Sequence, residues 1–244
     1  MEHIGSGWQF DAYASGNRVW KIPVSRFRMA TRVLRSYPTL VAKPFSLMVK
    51  IQELTEDRDL VLQEINRLEI DGRLLANFRR EGGRYIQDLV KPLGDVLEEG
   101  RLDPYWLMDR YVDSVRRSWN SGFAETSFNF TVNHGLDRRG QVVIVDVGEL
   151  TFDKRDVARL IEKKFWEKAF SARTLPKRVR AYLYRAMERT INLGQLEREW
   201  SEARPLDRAR PAPDRQAARR TDDSRRNEEQ RSGLRGQNKT TVSL

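Results

Sequence analysis

Aromatic and β-branched residues alternate with polar ones over 7–23 (GWQFDAYASGNRVWKIP) and break at Ser15-Gly16-Asn17, which predicts a hairpin. Residues 26–80 follow a mostly helical pattern, interrupted near Tyr37-Pro38 and Lys43-Pro44, where proline cannot continue a helix. The best-defined helix there starts near Thr55, whose hydroxyl can cap it, and places Val61, Ile65, Leu68, Gly72 and Leu75 on one face. Strands are predicted at 85–97 (YIQDLVKPLGDVL) and 104–112 (PYWLMDRYV), followed by a short helix at 114–121. The stretch SGFAETSFNFTVNHGLDRRG reads as loop up to a strand at 141–147. From Asp153 to about Ala203 the period is helical again, broken at Pro176, with Val157, Leu160, Ile161, Phe165 and Trp166 on an apolar face. Strands interleaved with helices, then helices alone, describe an α+β protein arranged as two lobes.

Composition removes several chemistries. The chain of 244 residues has no cysteine, which excludes disulfides, thiolate metal sites and a cysteine nucleophile. Its two histidines, His3 and His134, are too few for a histidine-rich metal site, and neither lies in a nucleophile context. The N-terminus, MEHIGSGWQF, lacks the pattern of a secretory signal, and no apolar run approaches the length of a membrane span. A cytoplasmic protein with no membrane partner is expected. Of the net charge of +10, the segment Arg204–Leu244 holds +5, from ten Arg and one Lys against six acids. That segment has almost no large apolar residue, so it is expected to be a disordered basic tail, either simply solvated or in weak contact with nucleic acid.

The stretch VVIVDVGEL (142–150) raises a sharper question, because an apolar strand runs straight into Asp146. Burying an unpaired carboxylate costs several kcal/mol, so this one either ends the strand in a turn or holds a cation. Other segments with chemical potential precede it. IGSGWQFDAY (4–13) offers Gly5 and Gly7 at the start of a hairpin, where bare backbone can approach a phosphate. RVWKI (18–22) puts Lys21 on the returning strand. LQEINRLEI (62–70) carries Glu64 and Glu69 on either side of an apolar stripe. NHGLDRRGQVVIVDVGEL (133–150) is a small hairpin that begins at Asn133 and ends at Asp146.

In this order the segments resemble the protein-kinase-like superfamily over roughly residues 4–150. The spacing of Asn133, Asp137, Gly140, Asp146 and Gly148 carries the resemblance furthest. It implies a two-lobed kinase-like fold: residues 1–113 as the N-lobe, 114–203 as a reduced helical C-lobe, and 204–244 as the tail. It also implies ATP and Mg²⁺ as cofactors. Gly5, Gly7 and Lys21 would contact phosphates, Glu64 would pair with Lys21, the Met108–Arg110 backbone would meet the adenine, and Asn133 and Asp146 would hold magnesium.

The departures from the family pattern are specific. Five residues before Asn133, where the family has its catalytic Asp, stands Phe128; were Asn129 the metal ligand instead, Ala124 would stand there. Glu125 and Asn129 are the nearest polar residues, and Glu125 is the candidate base. After Gly148 there is no room for a long activation segment. Three functions remain open: a small atypical phosphotransferase acting on an unidentified substrate, a pseudokinase that binds a protein partner, and a basic nucleic-acid-binding protein using residues 153–244.

Overall fold

Five short strands form an antiparallel sheet in the order β1-β2-β3-β5-β4: β1 (Glu2–Ser6), β2 (Phe10–Ser15), β3 (Arg18–Pro23), β4 (Arg79–Glu81) and β5 (Arg84–Asp88). The computed structural model describes residues 1–200, apart from Glu69 and Gly83. The hairpin expected over 7–23 is β2 and β3, paired from Phe10↔Pro23 to Ser15↔Arg18, with Gly16 in the left-handed conformation the turn needs.

Two helices are inserted between β3 and β4. Helix α1 (Arg26–Ser36) is capped by Ser25 and buries Met29 and Val33. Helix α2 (Pro44–Arg67) starts eleven residues before the expected Thr55, because Pro44 at its first turn initiates the helix rather than interrupting it. Thr55 therefore sits mid-helix, with its hydroxyl donating to the Ile51 carbonyl at 2.8 Å. Helix α2 ends at Arg67, and Gly72–Leu75 form a separate 3-10 turn capped by Asp71, so the predicted stripe does not continue along one helix.

The next segment departs most from the expected pattern. The strand predicted at 85–97 stops at β5, followed by a two-residue β6 (Lys91–Pro92) and helix α3 (Leu93–Glu99). Residues 104–112 are not a strand. They open helix α4 (Pro104–Trp119), which also absorbs most of the helix expected at 114–121. Asp103 accepts from the Tyr105 N–H as its cap, and Pro104 occupies the first turn. Leu107, Met108, Tyr111, Val112, Val115 and Trp119 then fall at helical spacing on the buried face. The expected lobe boundary after residue 113 thus falls inside a continuous helix.

The stretch read as loop contains β7 (Ala124–Glu125), helix α5 (Phe130–Asn133) and β8 (His134–Leu136), and β9 (Val142–Ile144) follows it. Strand β8 pairs with β6 and β9, while β7 pairs with β10 (Leu150–Thr151). Gly135 is required here, since a Cβ would lie 2.5 Å from the Val90 side chain and 2.9 Å from the Lys91 carbonyl. The C-terminal helices are α6 (Lys154–Glu162), α7 (Phe170–Thr174), α8 (Lys177–Thr190) and α9 (Leu193–Glu199).

Two apolar cores result. Phe10, Val61, Leu62, Ile65, Leu75, Phe78, Ile144 and Val147 join the five-stranded sheet to α2 and the end of β9. The larger core gathers α3, α4 and the C-terminal helices around Leu107, Met108, Tyr111, Trp119, Phe130, Val142, Trp166, Leu183 and Met187. Strand β9 is buried on both faces, giving Val142 to one core and Ile144 to the other. Asp146 therefore emerges where the two cores meet. The expectation of a disordered tail over 204–244 lies outside the described residues. Among the described residues no helix is long and apolar enough to cross a membrane.

Candidate functional site

Lys21 stands on β3 with its aliphatic stem in the core and its ammonium 5.8 Å from the centre of the Phe10 ring. Its Nζ donates to the carbonyl of Val145, which lies 124 residues further along the chain. Burial pulls its pKa below the usual lysine range, and the charge of Asp146 opposes that pull. The Val145 and Asp146 N–H groups in turn donate to the Asn133 carbonyl, at 2.8 and 3.3 Å. A continuous set of bonds thus leads from β3 to the residue before β8.

Asn133 is 3% exposed, and its side chain links two carboxylates: Nδ2 lies 3.1 Å from Glu125 Oε1, 2.9 Å from Glu149 Oε2 and 3.0 Å from Ser127 Oγ. Glu125, at the end of β7, is almost fully buried. Its carboxylate also accepts from the Ser127 N–H and hydroxyl and from the Phe128 N–H. Desolvation pushes Glu125 up to about 7; the Ser127 hydroxyl pulls it down, the nearby Glu149 charge raises it further, and the Ser127 N–H and Asn133 pull it down again. A carboxyl that titrates near neutral pH can take up and release a proton under working conditions.

Phe128 adopts a left-handed backbone with φ of 54°, which is strained for a bulky side chain. That conformation turns its N–H toward Glu125 while the ring stays in the core beside Trp166. Phe128 supplies no acid; the carboxylates that reach the Asn133 amide come from Glu149, at 2.9 Å, and Glu125, at 3.1 Å. The Asn129 side chain turns away from the carboxylates, its oxygen accepting from Ser171 on α7, while its N–H donates to Ser127 Oγ at 3.1 Å and its carbonyl accepts from the Asn133 N–H at 2.9 Å.

Asp146 caps a 3-10 turn over Val147–Glu149, with Oδ1 accepting from the Gly148 N–H at 2.9 Å. The turn reading of this acid is therefore realised, and the same turn brings Glu149 to Asn133. The Gln9 side chain fills the space beside Gly148: a Cβ there would fall 2.5 Å from Gln9 Oε1, so the Gln9 amide would have to shift. Gln9 comes from the segment between β1 and β2 and also donates to the Leu54 carbonyl of α2 at 3.3 Å. The glycine segment, α2 and the Asp146 turn are thus joined by one side chain.

Gly5 lies in β1 opposite Ala12, with nothing within 4 Å of where a Cβ would stand. Gly7 closes the adjoining turn through its N–H to the Phe10 carbonyl at 2.8 Å, and its own carbonyl accepts from Arg32. Buried Asp11 on β2 receives Arg32 and Arg28 from α1. Asp137 and Gly140 shape the β8–β9 turn. The Asp137 carboxylate accepts from the N–H groups of Arg139 and Gln141, and Gly140 has φ of 71°.

Two expected placements fail. Glu64 does not pair with Lys21; near the end of α2 it binds Arg67 three residues on, a local pair that needs no tertiary contact. Met108 and Arg110 do not form a linker that could meet an adenine. They lie inside α4, where backbone groups bond within the helix; Met108 is wholly buried, and Arg110 lies 5.2 Å from the Trp106 ring. The segment joining the five-stranded sheet to β6 is Leu89-Val90, with the Leu89 N–H bound to the Asn17 carbonyl.

Sequence reasoning missed Glu149, Gln9 and Ser127. Glu149 had a visible signal, as the second acid of the DVGE turn. Gln9 and Ser127 had none, because short polar residues in loops are common. His134 is fully buried edge-on to Tyr111 at 5.0 Å, and burial lowers its pKa to about 3. It stays neutral and offers no base.

The donor set bears on the implied magnesium. Asp146, Glu149 and Asn133 supply hard oxygen atoms, but among the described residues no group of three or more acids or histidines is placed to hold a metal. No model of a known protein family matches the chain, and no curated protein matches it.

Proposed function

We propose that the chain is a kinase-like protein that binds ATP with Mg²⁺ and transfers a phosphoryl group, with Glu125 in place of the usual catalytic aspartate. One observation carries this reading: buried Lys21, Asp146 and the Glu125–Asn133–Glu149 cluster, drawn from four distant segments, are linked by hydrogen bonds at the junction of the two cores. The order of the five-stranded sheet, with a long helix between β3 and β4, supports the same reading. Gly5 leaves open space for phosphate, whereas the Gly7 N–H and carbonyl are already bonded to Phe10 and Arg32, and Lys21 would supply the cation. Asp146 and Asn133 would hold magnesium, which when bound neutralises phosphate charge. Glu125 would accept the proton of the acceptor hydroxyl. The base would pack against Leu89-Val90, not against α4.

The pseudokinase alternative draws on a different observation. Lys21 is engaged by a backbone carbonyl, and Glu125 accepts from Ser127, Phe128 and Asn133 at once. A site saturated in this way can bind nucleotide without turning it over.

Thermal unfolding with ATP, with and without Mg²⁺, tests both readings. At a hundred-fold excess over Kd, binding adds about 2.7 kcal/mol of stability. Asp146→Asn should remove the metal-dependent part and any phosphotransfer. Glu125→Gln should keep the metal-dependent shift and lower phosphotransfer about 10²–10⁴-fold. A shift without turnover in the wild type favours the pseudokinase, and no shift at millimolar nucleotide refutes both.

A further inference from the structure

A run of exposed large apolar residues lies where α1 turns into α2. Pro38–Ala42 form a 3-10 turn with no buried residue, and α2 buries nothing before Thr55 although it starts at Pro44. Val41, Phe45 and Met48 are 71%, 79% and 69% exposed, and Tyr37 is half exposed. Trp8 braces Tyr37 edge-on at 5.8 Å, so the tip is anchored to the body of the fold at its base. A cluster of large apolar side chains left in water marks an interaction surface.

Charge indicates what covers it. Between Val24 and Gln52 the chain carries Arg26, Arg28, Arg32, Arg35, Lys43 and Lys50 and not one acid. Elsewhere acids and bases are interspersed. Arg28 and Arg32 are engaged by Asp11, and Lys50 faces Glu53. Arg26 and Arg35 have no ion pair among the described residues. The surface is therefore apolar at its tip and positive around it.

Shape separates a lipid surface from a protein partner. From Arg35 to Ser46 every residue except Leu40 is exposed, so these side chains stand in solvent as a projecting tip. A protrusion of this kind enters a deformable interface directly, whereas a protein partner would have to supply the matching pocket. We propose that the tip docks the protein on an anionic lipid surface, with Val41, Phe45 and Met48 entering the acyl boundary and Arg35 and Lys43 meeting headgroup phosphates. This replaces the expectation of no membrane contact, and it needs no spanning segment. It shares no residue with the nucleotide site and does not depend on that reading.

Sedimentation of the full-length protein with phosphatidylcholine vesicles, with and without phosphatidylserine, tests the proposal. Binding should require phosphatidylserine and fall about tenfold or more in Phe45→Ser/Met48→Ser, which leaves every charge in place. Arg35→Gln/Lys43→Gln should weaken it by about tenfold or more while keeping the apolar tip. Because Phe45 and Met48 are exposed, melting temperatures should match the wild type; if the apolar variant melts lower, the charge variant decides. Three results overturn the proposal: no binding to anionic vesicles, binding that both variants leave unchanged (which would assign it to the Arg-rich 204–244 segment), or a wild-type dimer that the apolar variant dissolves without any vesicle binding.

Discussion

Glu125→Gln tests the electrostatics at the centre of the site without any assumption about ligand. The carboxyl titrates near 7 in the folded protein against 4.5 as its ordinary value, so the folded state holds the proton more tightly than the unfolded state. For a carboxyl shifted upward, stability is greatest below the unfolded value and falls as pH rises through the window from 4.5 to about 7; above that it stays at the lower level. The shift corresponds to a loss on the order of 3 kcal/mol across the window. Glutamine keeps the shape and cannot ionise, so the variant should lack this loss. It gives up one acceptor to the donors of Ser127, Phe128 and Asn133, which costs about 1 kcal/mol at acid pH. Urea unfolding at pH 5, 6, 7 and 8 reads the difference between the two proteins. The variant should gain on the wild type by about 2–3 kcal/mol between pH 5 and 8, and be the more stable protein at pH 8. Parallel stability curves would refute the account, because they would mean that Glu125 is either solvated or ionised throughout.

Three further outcomes follow from the packing. Gly148→Ala drives a methyl into the Gln9 amide and should cost about 1–3 kcal/mol, with Gln9→Ala restoring most of it in the double variant; additive losses would show that the two do not touch. Met108→Ala opens the core under α4 and should cost about 2–5 kcal/mol in chemical unfolding, whereas a linker residue would cost little. Deleting residues 204–244 should leave the melting temperature unchanged, since that segment has almost no large apolar residue to bury; a large drop would show that it contributes to the folded body.

The local elements most legible in the sequence were those whose signal is local. The β2–β3 hairpin was visible because Gly16 sits at a turn and the flanking residues alternate. The double burial of β9 was visible in VVI, and the turn after it in the spacing of Asp146 and Gly148. Lys21, Asn133 and Asp146 were singled out from the same kind of pattern, and the fold links them through the Val145 peptide and the Asn133 carbonyl. The α4 segment went the other way. Its tyrosines, tryptophan and valines read as strand, yet Asp103-Pro104 starts a helix, and burial at helical spacing outweighs the weak β preference of those residues. Position along the chain did not decide partners either. Glu64 had the right neighbours in sequence, but helix geometry gave it Arg67. Glu125 was out of register with the position the kinase-like resemblance implies for an acid, but the left-handed turn at Phe128 and the β7–β10 pairing bring it to Asn133. Periodicity and turn chemistry act within a few residues, so a sequence determines them alone. Which carboxylates meet the Asn133 amide, eight and sixteen residues away, and which carbonyl meets Lys21, 124 residues away, depend on how helices and strands pack, and only the tertiary structure decides that.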